Sequence, residues 1–443
     1  MTVYESNREV MATRPRAGRT SCALLAITLL IAACGGSEPA LPRIGTTPQA
    51  TTSPASSEGR LSWLRRKAID RVLDYRVWSG ARSGFVAFIA TQGRVVYART
   101  SGNADLETGT PMEVDTRFHL ASMTKPIVAV AAMILVEEGR LDLDAKLSDY
   151  LPAFSSMRVV RSRAEDGGWV DGPATSSIRI RHLLTFTSGI GGYAETNDPL
   201  DQAWRSPDIE LVGLGSLADR VDLVARLPLY EEPGMTWRYG WSADVLARVV
   251  EVAAQEPFDS FLSTRIFTPL GMTRTSYPDA VPADEPVARM YTHDKNGDLV
   301  RDPQFDDYYG RGWTPGGGGL VSTGVDFLRF AMMLAGRGEL EGTRILSARS
   351  VEEMTRLHVA DGVLADMDIE GLGWGLGVCV VADDTKTLMP SQNGDYWWSG
   401  RFGTQFWIRP ESQSVVVVMQ QTERGPYSDL PITPTLVQVL GLP

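Results

Sequence analysis

The sequence predicts an α/β plus all-α protein: an antiparallel sheet built from both ends of the chain, flanked by terminal helices, with a large helical insertion between them. Two observations carry this expectation. Strand-patterned runs gather near residues 84–98 and 375–420, and residues 140–310 are mostly short helices and loops. Size is a third. The 443 residues, 43% hydrophobic and 22% charged, suit a globular chain too long for one small domain.

The elements follow in order. Residues 1–33 read as an export signal, with Arg14, Arg16 and Arg19 before a ten-residue apolar core, Cys22 to Ile31. That core is too short to span a bilayer as a helix. It runs into Ile31-Ala32-Ala33-Cys34-Gly35, which is similar to the lipobox of bacterial lipoproteins, in which the cysteine is acylated. The expectation is an exported protein held on the bacterial membrane by a lipid on Cys34. Residues 34–59, rich in Pro, Ser, Thr and Gly, then form a flexible tether. One large domain is expected over 60–443, with an α/β lobe of about 60–119 and 311–443 and a helical lobe of about 120–310.

Within it, a helix is expected from Leu61 to about Tyr75, followed by a hairpin of Gly84–Thr91 and Arg94–Ala98 turned on Gln92-Gly93. Residues 117–139 carry an apolar helix, and Ser242 to Ala254 another that stops near Pro257. Asn296-Gly297 turns a second hairpin, with Asp294 and Asp298 as turn residues rather than a calcium loop. After Gly316–Gly319 come a helix, Asp326–Leu334, and strands at Gly375–Val381, Tyr396 onward, Phe402–Ile408 and Ser414–Gln420. A closing helix is expected near 428–440. Cys379, in a strand-like run, is a packed core thiol.

Composition excludes several classes. A net charge of −11 argues against nucleic acid. Three scattered cysteines supply neither a disulfide framework nor a paired-cysteine metal site. His119, His182, His293 and His358 lack ligand spacing, so no metal and no cofactor is expected. The chain has no Gly-x-Ser-x-Gly elbow, and its glycine run lacks the Gly-Lys-Ser/Thr of a phosphate loop.

Ser122-Met123-Thr124-Lys125 is where the chemistry concentrates. Three apart at the head of a helix, a serine and a lysine share one face and can share a proton. The unpaired N–H groups of a helix start suit a developing anion. The chain has 5 lysines among its 43 basic residues, so an amine able to give up a proton is scarce here. A tyrosine is a sensible third member, because a phenol exchanges protons with both groups. Tyr239 lies in a Pro-Gly turn region just before the Ser242 helix. Trp398-Ser399-Gly400-Arg401 begins a strand in which glycine lets backbone approach a substrate closely.

These segments resemble the serine hydrolases related to class C β-lactamases, and most of all the family VIII carboxylesterases. The resemblance runs through Phe118–Leu143, Ile180–Gly189, Pro233–Glu251, Gly316–Thr323, Gly373–Val378 and Trp398–Pro410, in the family's order. It implies a β-lactamase or penicillin-binding-protein-like fold with a cleft between lobes. Ser122 would attack, Lys125 and Tyr239 would move the proton, and Trp398-Ser399-Gly400 would border the oxyanion site. The β-lactamases of this class resemble Tyr-x-Asn and Lys-Thr-Gly at the second and third elements. Here they read Tyr239-Gly240-Trp241 and Trp398-Ser399-Gly400, so the asparagine amide and lysine charge that help hold a β-lactam are absent. Trp241 and Trp398 make the cleft apolar, while Arg401 offers a positive charge back.

The expected function is hydrolysis of small short- to medium-chain carboxylic esters through an acyl-enzyme on Ser122, with the N–H groups of Ser122 and Arg401 holding the oxyanion. Either Lys125 or Tyr239 serves as base. The alternatives are a β-lactamase or D-amino-acid peptidase near the cell wall, and a non-catalytic penicillin-binding-like protein. The oligomeric state is open.

Overall fold

The computed structural model describes residues 63–165, 167–192, 198–205, 215–285, 287–306, 312–359, 370–387, 390–423, 433 and 436–437. The expected export signal, Cys34, the expected tether and most of the expected closing helix lie outside these residues.

In chain order, α1 (Trp63–Trp78) leads into strands β1 (Gly84–Thr91), β2 (Arg94–Asp105), β3 (Thr110–Pro111) and β4 (Arg117–His119). The apolar helix α2 (Thr124–Glu137) follows, then a hairpin, β5 (Arg158–Arg163) and β6 (Trp169–Pro173). Helices α3 (Leu217–Val224) and α4 (Ser242–Ala254) precede the small hairpin β7 (Tyr291–His293) and β8 (Leu299–Arg301). The chain returns through β9 (Val321–Thr323) and α5 (Gly324–Ala335) to β10 (Leu372–Trp374), β11 (Cys379–Val381), β12 (Tyr396–Ser399), β13 (Gln405–Arg409) and β14 (Ser414–Met419).

Eight strands form one sheet in the order β10-β11-β12-β13-β14-β1-β2-β3. Both ends of the sequence therefore build it, as expected. The join is antiparallel, with Val86 opposite Met419 and Ile89 opposite Val416. β14, SVVVVM, is buried at every position. Continuous β-branched burial of this kind marks a strand covered on both faces. α5 packs over the sheet, with the Phe327 and Phe406 rings 5.5 Å apart. Its start is fixed by Thr323, whose Oγ1 accepts from Asp326 N at 3.1 Å. α1 lies against β2, where Tyr97 donates to Asp70 Oδ1 at 2.9 Å.

α2 is buried from Thr124 to Leu135, so it is the central helix of the molecule and not a surface one. It packs against α4. The short ladder β4–β9 places Phe118 opposite Ser322, and Leu120 N donates to Leu320 O at 2.8 Å. These bonds fasten the segment before Ser122 to the segment after the glycine run. The run thereby lies beside the start of α2.

Several expected boundaries move. The strand expected at Gly375–Val381 is instead β10, a turn and β11: Gly375 N donates to Val378 O at 2.9 Å. The strand expected from Phe402 begins at Gln405, because residues 400–403 close a turn in which Gly403 N reaches Gly400 O at 3.1 Å. β2 runs on past Ala98 to Asp105. The β5–β6 hairpin was not expected; its mostly exposed or half-buried strands show no clean alternation. The Asp294–Asp298 turn is as expected, with Asp294 Oδ1 accepting from Asn296 N at 2.8 Å. Cys379 is buried, which pushes its thiol pKa up.

Candidate active site

Ser122 sits in a single 3₁₀ turn, Ala121–Met123, immediately before α2. Ala121 has a φ of 49°. That left-handed value costs a non-glycine residue about 1 kcal/mol. It is held by its surroundings: Met123 N bonds Leu120 O at 3.2 Å, and Thr404 Oγ1 donates to that same carbonyl at 2.9 Å. Ser122 itself is partly exposed, whereas Lys125 is only 2% exposed. Lys125 Nζ stands 3.0 Å from Ser122 Oγ and also donates to the carbonyl of Gly317.

Tyr239 comes from the loop before α4. The Lys125 ammonium lies over its ring, 4.6 Å from the centroid. An aromatic cage sets the ring's position. Phe186, Trp237 and Trp398 have centroids 5.1, 5.8 and 5.4 Å from it. Trp374 stands edge-on to Trp398 at 4.6 Å and is itself pinned by Nε1 donating to Leu184 O. Trp398 Nε1 donates to the Tyr239 hydroxyl at 3.3 Å. Gly240 is required here: a Cβ at this position would lie 2.2 Å from Gly191 O, in the bridge that joins Gly192 to Gly240. Trp241 is 6% exposed and packs into this bridge, with its N–H on Gly191 O.

The third segment arrives on β12. Ser399 ends the strand opposite Gln405. Gly400 then passes so close to the nucleophile's turn that a Cβ would meet Leu120 O at 2.3 Å. Three segments distant in sequence thus meet at Ser122, Lys125, Tyr239 and Trp398. The positive charge of Arg401 is spent on Glu423, which accepts from its Nε at 2.8 Å, and its guanidinium lies over Phe305. It therefore does not replace the missing lysine as a free carboxylate anchor.

Sequence reasoning missed five contributors. Phe186, Trp237 and Trp374 complete the cage; the Gly-Trp-Gly pattern around Trp374 was the available signal. Gly317 was set aside with its glycine run, yet it supplies the carbonyl that receives Lys125. Asp244, one turn into α4, is buried, and its Oδ1 accepts from Gly317 N at 2.9 Å. Burial pushes the Asp244 carboxyl up to about 6, against the pull of the Gly317 hydrogen bond and the Lys125 and Arg220 charges.

A serine-bearing 3₁₀ turn, a buried amine against it and a caged phenol are the arrangement expected of a serine hydrolase of the β-lactamase-related superfamily. The chain belongs to the β-lactamase family, whose pattern it matches over residues 69–437. Among its relatives, esterase EstB of Burkholderia gladioli is 30% identical over 377 residues, covering 81% of this chain and 91% of EstB. Among solved structures, EstCE1, a hydrolase with promiscuous acyltransferase activity, superposes with a TM-score of 0.71 at 28% identity, covering 84% of this chain and 98% of that one. Simvastatin synthase (LovD) of Aspergillus terreus shares the fold, with a TM-score of 0.70 at 22% identity over 84% of this chain and 95% of LovD.

Proposed function

We propose that this protein cleaves short- to medium-chain carboxylic esters through an acyl-enzyme on Ser122. The observation that carries the proposal is the contact of 3.0 Å between a buried Lys125 amine and a partly exposed Ser122 hydroxyl. Ser122 Oγ attacks the ester carbonyl while the Lys125–Tyr239 pair takes its proton and returns it to the departing alcohol. Water then attacks the acyl carbonyl along the same proton route and frees the acid. The N–H groups of Ser122 and Arg401 are the oxyanion donors in this scheme, each worth on the order of 3 kcal/mol.

The ester preference rests on what surrounds Ser122. Trp398 stands where a charged third element would, backed edge-on by the fully buried Trp374, and Arg401 is paired with Glu423. A neutral acyl group suits such walls better than a carboxylate-bearing β-lactam or peptide. The esterase EstB and the hydrolase EstCE1 support the same reading.

The experiment is hydrolysis of p-nitrophenyl butyrate beside nitrocefin and a D-Ala-D-Ala peptide. Ester turnover that disappears in Ser122→Ala, with a burst of p-nitrophenol in the first turnover, is expected. Turnover surviving that substitution rejects the scheme; faster turnover of nitrocefin or the peptide returns the site to the cell-wall chemistries. Labelling of Ser122 by a fluorophosphonate separates an enzyme from a silent binding protein.

A further inference from the structure

Behind Lys125, on the side away from the substrate opening, lies a second layer of charge that ester hydrolysis by Ser122, Lys125 and Tyr239 does not use. Asp244 stands in the first turn of α4, five residues after Tyr239, and is 2% exposed. Its Oδ1 receives the Gly317 N–H. The carbonyl of that same Gly317 receives the Lys125 ammonium. One residue of the glycine run therefore bridges a buried carboxylate and the amine that touches the nucleophile. Asp244 Oδ2, also buried, has no hydrogen-bond partner among the described residues. A carboxylate oxygen left bare in a protein interior is costly.

We propose that Asp244 is a positioning residue: it fixes the Gly317 carbonyl on Lys125, and through that peptide holds the Lys125 amine against Ser122 and Tyr239. The inference rests on the reading of the site given above. Lys125 donates to two oxygens and lies over the Tyr239 ring, contacts that suit an ammonium better than a neutral amine. Asp244 is a buried carboxylate within electrostatic reach of Lys125, and peptide 316–317 transmits its position. Gly316 is packed tightly enough to hold that peptide, since a Cβ there would lie 2.3 Å from Ala243 O.

The charges facing Asp244 are Lys125 from α2 and Arg220 from α3, with the Tyr277 phenol on the remaining side. Arg220 is buried, its guanidinium 4.0 Å from the centre of the Trp313 ring. Both cations favour the carboxylate, and burial opposes it. The acidic limb of the reaction then reports Asp244: protonation removes the countercharge and loosens the Gly317 bond, and turnover falls as pH drops through about 6.

The test is the pH profile of p-nitrophenyl butyrate hydrolysis in wild type, Asp244→Asn and Arg220→Met, with fluorophosphonate labelling of Ser122 as a separate readout. Asp244→Asn keeps the shape and the acceptor for Gly317 N. It is expected to lower kcat by about 10- to 100-fold with little change in KM, and to erase the acidic inflection. Arg220→Met leaves Asp244 with one cation fewer, and its acidic inflection should move to higher pH. Unchanged kcat in Asp244→Asn overturns the proposal. So does a kcat loss that leaves the inflection at its wild-type pH, because a purely structural aspartate would behave that way. If Asp244→Asn does not fold, an unmoved inflection in Arg220→Met overturns it alone. Labelling lost in Ser122→Ala but kept in Asp244→Asn separates a failure of this inference from a failure of the esterase reading.

Discussion

At the scale of single residues, the aromatic cage makes the sharpest demands. Trp398 both packs on Tyr239 and donates to its hydroxyl. Trp398→Phe keeps most of the ring contact and loses the donor, so kcat should fall several-fold while the unfolding midpoint moves little; a steady-state assay paired with a denaturant melt checks both. Trp398→Ala opens a void among Tyr239, Trp374 and Trp397 and should cost about 3 kcal/mol of stability or more in the same melt. His182 makes a different prediction. Burial and the neighbouring Arg179 and Arg181 charges depress its pKa to about 4. The folded state therefore keeps His182 neutral where the unfolded chain begins to bind a proton, near pH 6.5. The folded-state pKa lies below the unfolded one, so this imidazole removes stability as pH falls from about 6.5 toward about 4. His182→Gln should flatten that part of the stability curve, measured by urea unfolding at stepped pH.

At the scale of elements, Gly400 ties β12 to the turn of Ser122. Gly400→Ala would drive a methyl group onto Leu120 O, and either the strand end or the nucleophile's turn must shift. Ester turnover should drop at least tenfold with the circular dichroism spectrum unchanged, since a displacement near 1 Å is enough for such a loss. The elements also show what the sequence could and could not tell. α4 was legible to the residue, because its apolar spacing is helical and it stops before Pro257. Ser122, Lys125 and Tyr239 were legible as motifs. The glycine run and Asp244 were not: their role depends on β4 pairing with β9, a contact between residues some two hundred positions apart that no local pattern reveals. The β5–β6 hairpin escaped for another reason. Its strands are exposed on much of both faces, so alternation, the usual mark of a strand, is missing.

At the scale of the whole molecule, the expected export signal and Cys34 lie outside the described residues. Among those residues no helix is long and apolar enough to cross a membrane. The proposed lipid anchor then rests on Cys34, and Cys34→Ala should move the protein from the membrane pellet to the soluble fraction while the specific activity on p-nitrophenyl butyrate stays within about twofold. Retention in the pellet would reject the anchor.

The seam between β1 and β14 has a consequence for biogenesis. The hairpin β1–β2 can form before the strand that completes β1, Ser414–Met419, which lies about three hundred residues further along the chain. Until then β1 presents a bare row of amides and carbonyls to any passing strand. Pairing between segments so far apart in sequence also makes closure slow. Truncations that remove β14 should therefore yield insoluble material rather than a weakened enzyme.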